Sequence, residues 1–153
     1  MEYATLRSGA QMPLVGLGTW TLRGSEATEA VKAALGLGYR HIDTAEVYGN
    51  QRAIADGIRE SGVPREELFV VSKVPREHLR YDEVLGCARD TLRDLRTDYL
   101  DLYLIHWPSP TVPIRETLTA LEELRRKGSI RAIGVSNFTP DQLREALAAG
   151  VAP

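Results

Sequence analysis

Three ionisable side chains stand at the ends of short apolar runs that are typical of β-strands. Asp43 closes one run, Lys73 lies at the end of the next and His106 near the end of a third, and Tyr48 follows Asp43 just before a Gly-Asn breaker. A buried charge without a partner is costly, so each group would be poorly placed alone, but at one end of a sheet they can pair. Barrels of alternating strands and helices assemble their reaction centres at such strand ends. The spacing therefore predicts a candidate site at this edge.

Each of these residues also has an ordinary structural interpretation. Asp43 could be an N-cap or turn residue, and Lys73 could extend its ammonium to solvent. Tyr48 could be a packed aromatic, and His106 could be a core histidine with satisfied hydrogen bonds. The combination favours a reaction site over these structural interpretations, because each of three successive strands ends in an ionisable residue.

Together the four side chains make a proton-transfer set. A phenol is a reluctant proton donor near neutrality, and a nearby ammonium stabilises the phenolate that remains. Lys73 is therefore predicted to activate Tyr48, and Asp43 to hold and orient the lysine. His106 would offer a ring N–H to a substrate oxygen. One histidine with one aspartate and one lysine is a poor metal-ligand set, so no metal is predicted.

Composition limits the classes of function. The 153 residues are 43% hydrophobic and 26% charged, which is typical of one globular domain. The formal net charge of −2 gives no reason to expect nucleic acid or an anionic membrane as a partner. The sequence has no run of about 18 apolar residues and no secretory pattern at its N-terminus. The lone Cys87, predicted to be a small buried side chain, excludes an internal disulfide, and a cytoplasmic location is predicted.

Apolar periodicity predicts a hairpin over Leu6–Val15 and then five strand–helix repeats. The strands are predicted at Leu14–Trp20, His41–Asp43, Leu68–Val74, Tyr99–Trp107 and Ile130–Asn137. The helices are predicted to begin at an N-cap on Ser25 and end at Gly38, and then to span Asn50–Gly62, Tyr81–Leu95, Ile114–Lys127 and Pro140–Ala148.

Strands that alternate with helices indicate a parallel sheet with helical crossovers. Two architectures fit this order: an open doubly wound sheet, or part of a (β/α)₈ barrel, which typically needs about 250 residues. Within the strands, Leu100, Leu102 and Leu104 are predicted to share a face with His106. Gly16 and Gly18 of the first strand indicate close approach of another backbone or a ligand.

Three segments resemble signature blocks of the aldo-keto reductases. They are Gly38–Asn50, Asp98–Pro108 and Gly128–Phe138, and each is long and rich in distinctive residues. Gly16–Trp20 and Ser72-Lys73 resemble the first and third strands of the same family. The resemblance covers nearly the whole chain and is strongest to the bacterial branch that includes the diketogluconate reductases.

The resemblance implies an α/β fold of the (β/α)₈ TIM-barrel type and transfer of hydride from NADPH to an aldehyde or ketone. It implies that Tyr48 is the proton donor, that Lys73 and Asp43 tune it, and that His106 orients the carbonyl group. The implied cofactor-binding residues are Thr19, Trp20, Asp43, Ser136 and Asn137. The implied substrate-pocket residues are Trp20, Tyr48, His106 and Trp107. Gln51 stands where the family often has Glu.

The resemblance also implies that residues 1–153 are a single, incomplete barrel domain with the N-terminal hairpin and the first five β/α units. In the family, strands six to eight carry the aromatic that stacks on nicotinamide and the basic residues that hold the cofactor phosphates. We therefore expect a truncated form with weak or no activity alone. A second chain that completes the barrel, or self-association, are alternative expectations.

The sequence leaves other classes of function open. A catalytically silent barrel fragment that acts as a binding or interaction module is the main alternative to an NADPH-dependent reductase. An isomerase or hydrolase without a nicotinamide is a third. The predicted partner of the reductase is a small-molecule carbonyl compound, with no nucleic acid and no membrane.

Overall fold

The computed structural model describes residues 2–149, so residues 1 and 150–153 of the predicted domain lie outside the described part. Its centre is a five-stranded parallel sheet, accompanied by a two-stranded antiparallel hairpin. The sheet strands are β3 (Leu17–Gly18), β4 (His41–Asp43), β5 (Phe69–Val74), β6 (Leu102–Ile105) and β7 (Ile133–Val135), and the hairpin strands are β1 (Tyr3–Thr5) and β2 (Gln11–Pro13).

The order of the strands decides between the two architectures. Each strand pairs with the next one along the chain, in the order β3-β4-β5-β6-β7, and every pair is parallel. A doubly wound sheet would instead reverse its strand order at a switch point. The consecutive order is that of part of a barrel wall. The predicted fold class is therefore confirmed, and the doubly wound sheet is excluded.

The helices follow the predicted pattern closely. They are α1 (Gly24–Gly36), α2 (Gln51–Ser61), α3 (Tyr81–Leu95), α4 (Ile114–Arg126) and α5 (Pro140–Ala148). Helix α5 has a capping box, because the Thr139 hydroxyl accepts from the N–H of Gln142 and the Gln142 side chain accepts from the N–H of Thr139. Among residues 2–149, no helix has the length and hydropathy needed to cross a bilayer.

The prediction of Ser25 as an N-cap is wrong. The cap position belongs to Arg23, whose carbonyl accepts the first helical hydrogen bond from Ala27 N–H, and Ser25 lies inside the first turn. Gly24, the residue after the cap, has a φ of 46°, a left-handed conformation that favours glycine. A tertiary contact fixes this start, because the Arg23 guanidinium donates to the carbonyl oxygen of Tyr48.

The predicted hairpin is displaced along the chain. Its first strand, β1, ends before Leu6, and Ala4 pairs with Met12. Leu6 and Ala10 close the turn through a backbone hydrogen bond of 2.9 Å, and Gly9 supplies the left-handed conformation with φ of 86°. Gln11–Pro13, after the turn, therefore pair with Tyr3–Thr5, which lie before the predicted start of the hairpin at Leu6.

Strands β3, β6 and β7 are shorter than predicted. Just before β6, the Asp101 carboxylate accepts the N–H of Val70 at 2.9 Å in place of a carbonyl, while the Asp101 N–H donates to the Val70 carbonyl at 3.1 Å. Leu100 therefore packs into the core between sheet and helices, and does not share the face of Leu102 and Leu104. Gly16 lies just before β3, and a Cβ on it would be 2.7 Å from the His41 ring. The residue that approaches this glycine closely is therefore the His41 side chain, whereas a backbone or a ligand was predicted.

Two apolar clusters lie on opposite faces of the sheet. The larger one, which includes Val70 and Tyr103, fills the space between sheet and helices. The smaller one contains Phe69, Val71, Leu102 and Ala132, and hairpin residues pack against it. Side chains alternate along β5, so Lys73 lies on the same face as Phe69 and Val71, as predicted. The hairpin covers part of this inner face.

Candidate active site

Asp43 and Lys73 meet because their strands are parallel neighbours. Asp43 ends β4 and pairs in register with Val71, so Lys73 lies two residues further along the adjacent strand. The Lys73 ammonium is 2.6 Å from Asp43 Oδ1 and 3.0 Å from the carbonyl oxygen of Thr44. Its exposed fraction is only 6%, so the two acceptors hold a buried charge.

Tyr48 is presented to this ion pair by a short 3₁₀ turn, Glu46–Tyr48. Gly49 closes the turn with φ of 65°, a conformation that favours glycine. The phenol oxygen lies 3.3 Å from Lys73 Nζ, and the tyrosine is 91% buried. Lys73 thus donates to an aspartate and to a phenol from one strand end, which is the arrangement predicted for an activated proton donor.

His106 lies next to the tyrosine ring. It directly follows β6, where its N–H donates to the carbonyl of Val74 at 3.1 Å. Its ring centroid is 5.7 Å from that of Tyr48, with the planes at 77°. Burial lowers the pKa of His106 below its ordinary value, and the Lys73 ammonium lowers it further, against the opposing effect of Asp43. The imidazole is therefore neutral near pH 7.

Two tryptophans lie beside the tetrad formed by Asp43, Tyr48, Lys73 and His106. Trp20 packs edge-on against Tyr48 with ring centroids 4.9 Å apart, and 62% of it is exposed. Trp107 is 47% exposed and shares a cleft with His106, Val47 and two residues of the loop after β5. Trp20 therefore lies beside the phenol and Trp107 beside the imidazole, and their role as walls of a substrate pocket stays a prediction.

Ser136 and Asn137 follow β7 at the same edge of the sheet. The Asn137 side-chain amide donates to the carbonyl of His106 at 2.8 Å and to Ser136 Oγ at 3.0 Å. Asn137 adopts φ of 61°, a left-handed conformation that asparagine tolerates better than most residues. These bonds join the end of β7 to the histidine, so the two predicted nicotinamide ligands are continuous with the tetrad.

Thr19 is placed differently from its predicted neighbours. It is fully buried, and both its N–H and its hydroxyl donate to the carbonyl oxygen of Asp43 at 3.0 Å. Its observed contact is thus with the strand that carries the aspartate. A contact between Thr19 and a nicotinamide stays a prediction.

Asn50 is a supporting residue that the sequence did not reveal. It is 3% exposed, its amide donates to the carbonyls of Thr19 and Leu22 at 2.9 and 3.1 Å, and its oxygen accepts from the Thr44 hydroxyl at 3.0 Å. It looks like a turn residue in the sequence, and only the folded chain brings Thr44 and the loop after β3 to its side-chain amide. Asn50 therefore fixes the loop that carries Tyr48 to the loop after β3.

Gln51 is a second supporting residue. Its side-chain oxygen accepts from the Ser72 hydroxyl at 2.7 Å, and its amide donates to Thr91 at 3.4 Å. Ser72 precedes Lys73 in β5, so Gln51 connects the lysine-bearing strand to helix α3. The residue lies outside the proton-transfer set but directly behind it.

The chain belongs to the Aldo/keto reductase family. The sequence model of that family matches residues 14–153. The chain is 51% identical over 143 residues to a glyoxal reductase of Bacillus subtilis, covering 93% of this chain and 51% of the relative. It is 46% identical over 140 residues to the methylglyoxal reductase DkgB of Salmonella typhi, covering 90% of this chain and 52% of that protein.

Solved structures agree with this assignment. A protein provisionally named 2,5-diketo-D-gluconic acid reductase B superposes with a TM-score of 0.94 at 41% identity, covering 100% of this chain and 54% of the other. The thermostable aldo-keto reductase Tm1743 gives 0.92 at 46% identity, covering 100% and 60%. The predicted family and its bacterial branch are thereby confirmed.

The chain spans about half the length of the curated relatives that it matches. Those relatives are named as reductases, so the comparisons do not favour a catalytically silent interaction module. The roles of the individual site residues remain predictions, which the observed geometry turns into specific proposals.

Proposed function

We propose that this chain supplies the proton-transfer centre and the nicotinamide end of an NADPH-dependent reductase that converts an aldehyde or ketone to an alcohol. The observation that carries the proposal is the buried Lys73 ammonium, which lies 2.6 Å from Asp43 and 3.3 Å from the Tyr48 hydroxyl. A phenol beside a fixed positive charge is suited to give up its proton to a developing alkoxide.

The residues at the end of β7 fit the carboxamide of a nicotinamide. Ser136 can donate its hydroxyl proton, and the oxygen of the exposed Asn137 can accept, so the pair complements an amide group. The Asn137 amide is meanwhile held by the carbonyl of His106. When bound there, the nicotinamide would supply a hydride to the carbonyl carbon.

Tyr48 would transfer its hydroxyl proton to the oxygen of the reacting carbonyl. The negative charge left on the phenol oxygen is stabilised by the Lys73 ammonium 3.3 Å away. Asp43 keeps that ammonium in place at 2.6 Å, so no reorganisation is needed during the transfer. The carbonyl oxygen gains the proton, and the phenolate regains one from solvent before the next cycle.

His106 would orient the substrate. Because burial keeps its imidazole neutral, the ring can donate one N–H to the carbonyl oxygen without delivering a competing proton. Its ring lies edge-on to that of Tyr48 with the centroids 5.7 Å apart, so we propose that both polar groups reach one carbonyl oxygen. The carbonyl oxygen would therefore receive two hydrogen bonds, one from the phenol and one from the imidazole.

The pocket walls favour a small substrate. Trp20 and Trp107 offer exposed apolar surface next to Tyr48 and His106, and Arg76 and Glu77 are the charged residues of the cleft that Trp107 lines. The relatives at 51% and 46% identity are named for glyoxal and methylglyoxal. We therefore propose a short α-oxoaldehyde such as methylglyoxal as the substrate class.

The phosphate-binding part of the cofactor site is proposed to come from outside residues 2–149, either from the same polypeptide or from a second chain. This expectation rests on the length of the relatives, because the chain covers about half of each. The preference for NADPH over NADH, and a cytoplasmic location, rest on the family resemblance. The mass of the NADPH-bound species in solution decides between one chain and two.

The test is steady-state reduction of methylglyoxal by NADPH in the complete polypeptide or complex that supplies the phosphate-binding part, with wild type, Tyr48→Phe and the matched control Tyr39→Phe. Tyr39 lies just before β4, at the opposite end of the strand that Asp43 closes. We expect Tyr48→Phe to lower kcat by about 10²- to 10⁴-fold, the usual contribution of a general acid, with little change in NADPH affinity. Tyr39→Phe should retain full activity. Equal losses in both variants, or full activity of Tyr48→Phe, would overturn the assignment.

A further inference from the structure

A second cluster of ionisable side chains lies next to the tetrad but is not used by it. Glu46 starts the 3₁₀ turn that ends at Tyr48, His78 lies on the loop after β5, and Cys87 lies on α3. Cys87 Sγ is 3.5 Å from His78 Nδ1 and 3.8 Å from Glu46 Oε1. One ligand atom from each residue lies within 4.8 Å of those of the other two. The cluster thus joins three segments that are distant in sequence.

These distances are close to those of a tetrahedral zinc site. Zinc bonds of about 2.3 Å to sulfur and 2.1 Å to nitrogen or oxygen place a sulfur ligand about 3.6 Å from each of the others. The observed separations of 3.5 and 3.8 Å differ from this value by about 0.2 Å or less. The Glu46 oxygen and the His78 nitrogen lie within 4.8 Å of one another, against about 3.4 Å in a tetrahedral site, so these two side chains would move toward each other to coordinate an ion.

The carboxylate of Glu46 indicates a missing ligand. Its Oε2 is buried and has no hydrogen-bond partner among the described residues, whereas Oε1 accepts from the Cys87 thiol. A buried acceptor without a partner costs free energy. The hydrogen bond from the Cys87 thiol therefore satisfies only Oε1, and a bound cation would satisfy Oε2.

The types of the three ligands select the cation. Thiolate and imidazole are the ligands that zinc prefers, while magnesium and calcium prefer oxygen ligands alone. Cys87 is buried, and His78 is exposed, so the histidine side offers a path from solvent. A fourth position on that side could be filled by water.

We propose that Glu46, His78 and Cys87 form a site for one Zn²⁺ ion. On binding, a zinc–sulfur bond forms, the S–H bond of Cys87 breaks, and its proton leaves to water. The ion links the turn of Tyr48 to α3 and to the loop that follows β5, the strand that carries Lys73. It acts as a structural link behind the phenol and takes no part in hydride or proton transfer.

Equilibrium dialysis of the metal-free, tag-free protein against Zn²⁺ tests the site, with Co²⁺ as a spectroscopic probe. We expect one zinc per chain, and a thiolate-to-metal charge-transfer band in the cobalt form. Removing a residue that only hydrogen-bonds to a metal ligand costs about 10- to 100-fold in metal affinity. Cys87→Ala and His78→Ala each remove a ligand itself, so each should lower the zinc affinity by more than about 100-fold. His78 is exposed, so its replacement cannot act by unfolding the core.

The control variants are His106→Gln and Glu77→Gln. The first removes the histidine of the tetrad, and the second removes a carboxylate next to His78 that is not one of the proposed ligands. Both should bind zinc like the wild type. The proposal is overturned if no stoichiometric zinc binds, if the cobalt form lacks the thiolate band, or if His106→Gln abolishes binding while His78→Ala does not.

Discussion

Replacing Lys73 with methionine should slow carbonyl reduction by about 10²- to 10³-fold. The ammonium is 3.3 Å from the phenol oxygen, and at an effective dielectric constant of about 20 the attraction to a full phenolate charge is about 5 kcal/mol. At about 1.4 kcal/mol per tenfold, complete loss of that attraction would cost about 5,000-fold. The expected fall is smaller because only part of the charge has developed in the transition state.

Asp43 makes this prediction sharper, because its charge opposes that of the lysine. The two distances of 2.6 and 3.3 Å place its Oδ1 no more than about 5.9 Å from the phenol oxygen. At the same dielectric constant and at the longest of these separations, its repulsion of a phenolate is about 3 kcal/mol, and solvent screening of the partly exposed carboxylate reduces that value. In Lys73→Met this repulsion is no longer offset. The double variant Asp43→Asn/Lys73→Met should therefore be faster than Lys73→Met alone, by about 10- to 100-fold.

The assay is kcat/KM for methylglyoxal at saturating NADPH, for the wild type, both single variants and the double variant. Circular dichroism should first establish that all four proteins are folded. A double variant as slow as Lys73→Met, or slower, would refute the electrostatic reasoning. It would mean that Lys73 acts by holding Tyr48 in position, because a positioning role does not depend on the charge of Asp43.

Three further predictions concern the framework of the site. Asp101→Asn should lower the free energy of unfolding by about 3 kcal/mol in urea titrations, because Asp101 is 97% buried and pairs with Arg65 at 2.8 Å and Arg131 at 3.0 Å. The exposed Asp98→Asn serves as its control, and equal effects would contradict the prediction. Asn50→Ala should cost about 2 kcal/mol in the same assay and reduce kcat, because its three hydrogen bonds are lost; an unchanged kcat would show that the loop does not need it. The pKa of His106 is lower in the folded chain than in the unfolded one, so the unfolded chain binds the proton more readily and stability should rise with pH through the window below about 6.5. Unfolding midpoints at pH 5 and 8 should therefore differ less in His106→Gln than in the wild type, and an equal difference would contradict this.

The predictions from sequence succeeded where local signals and burial agree. Tyr81–Leu95 and Pro140–Ala148 are helices with the predicted bounds, because each has an apolar stripe and clear start and stop residues. The tetrad came together as predicted, because parallel strands bring their C-terminal ends to one edge. Strand periodicity and residue type were sufficient for that inference.

The errors arose where tertiary contacts override local preference. Ser25 has the side chain of a cap, but the Arg23 contact with the Tyr48 carbonyl fixes an earlier start. The predicted face of Leu100 was wrong because the Asp101 carboxylate, and not a backbone carbonyl, accepts the N–H of Val70. Asn50 could not be recognised at all, since its partners come from segments up to 31 residues away.

The consecutive strand order has a consequence for how the chain folds. Paired residues of neighbouring strands are separated by similar lengths of chain, as in Leu17 with Ile42, Ile42 with Val70, and Tyr103 with Ile133. Loop-closure entropy varies only with the logarithm of loop length, so these closures differ by about 0.2 kcal/mol or less. No single crossover is therefore a dominant entropic barrier, and each strand–helix unit can add to the one before it. Such a chain can assemble progressively from its N-terminal side as it emerges during synthesis.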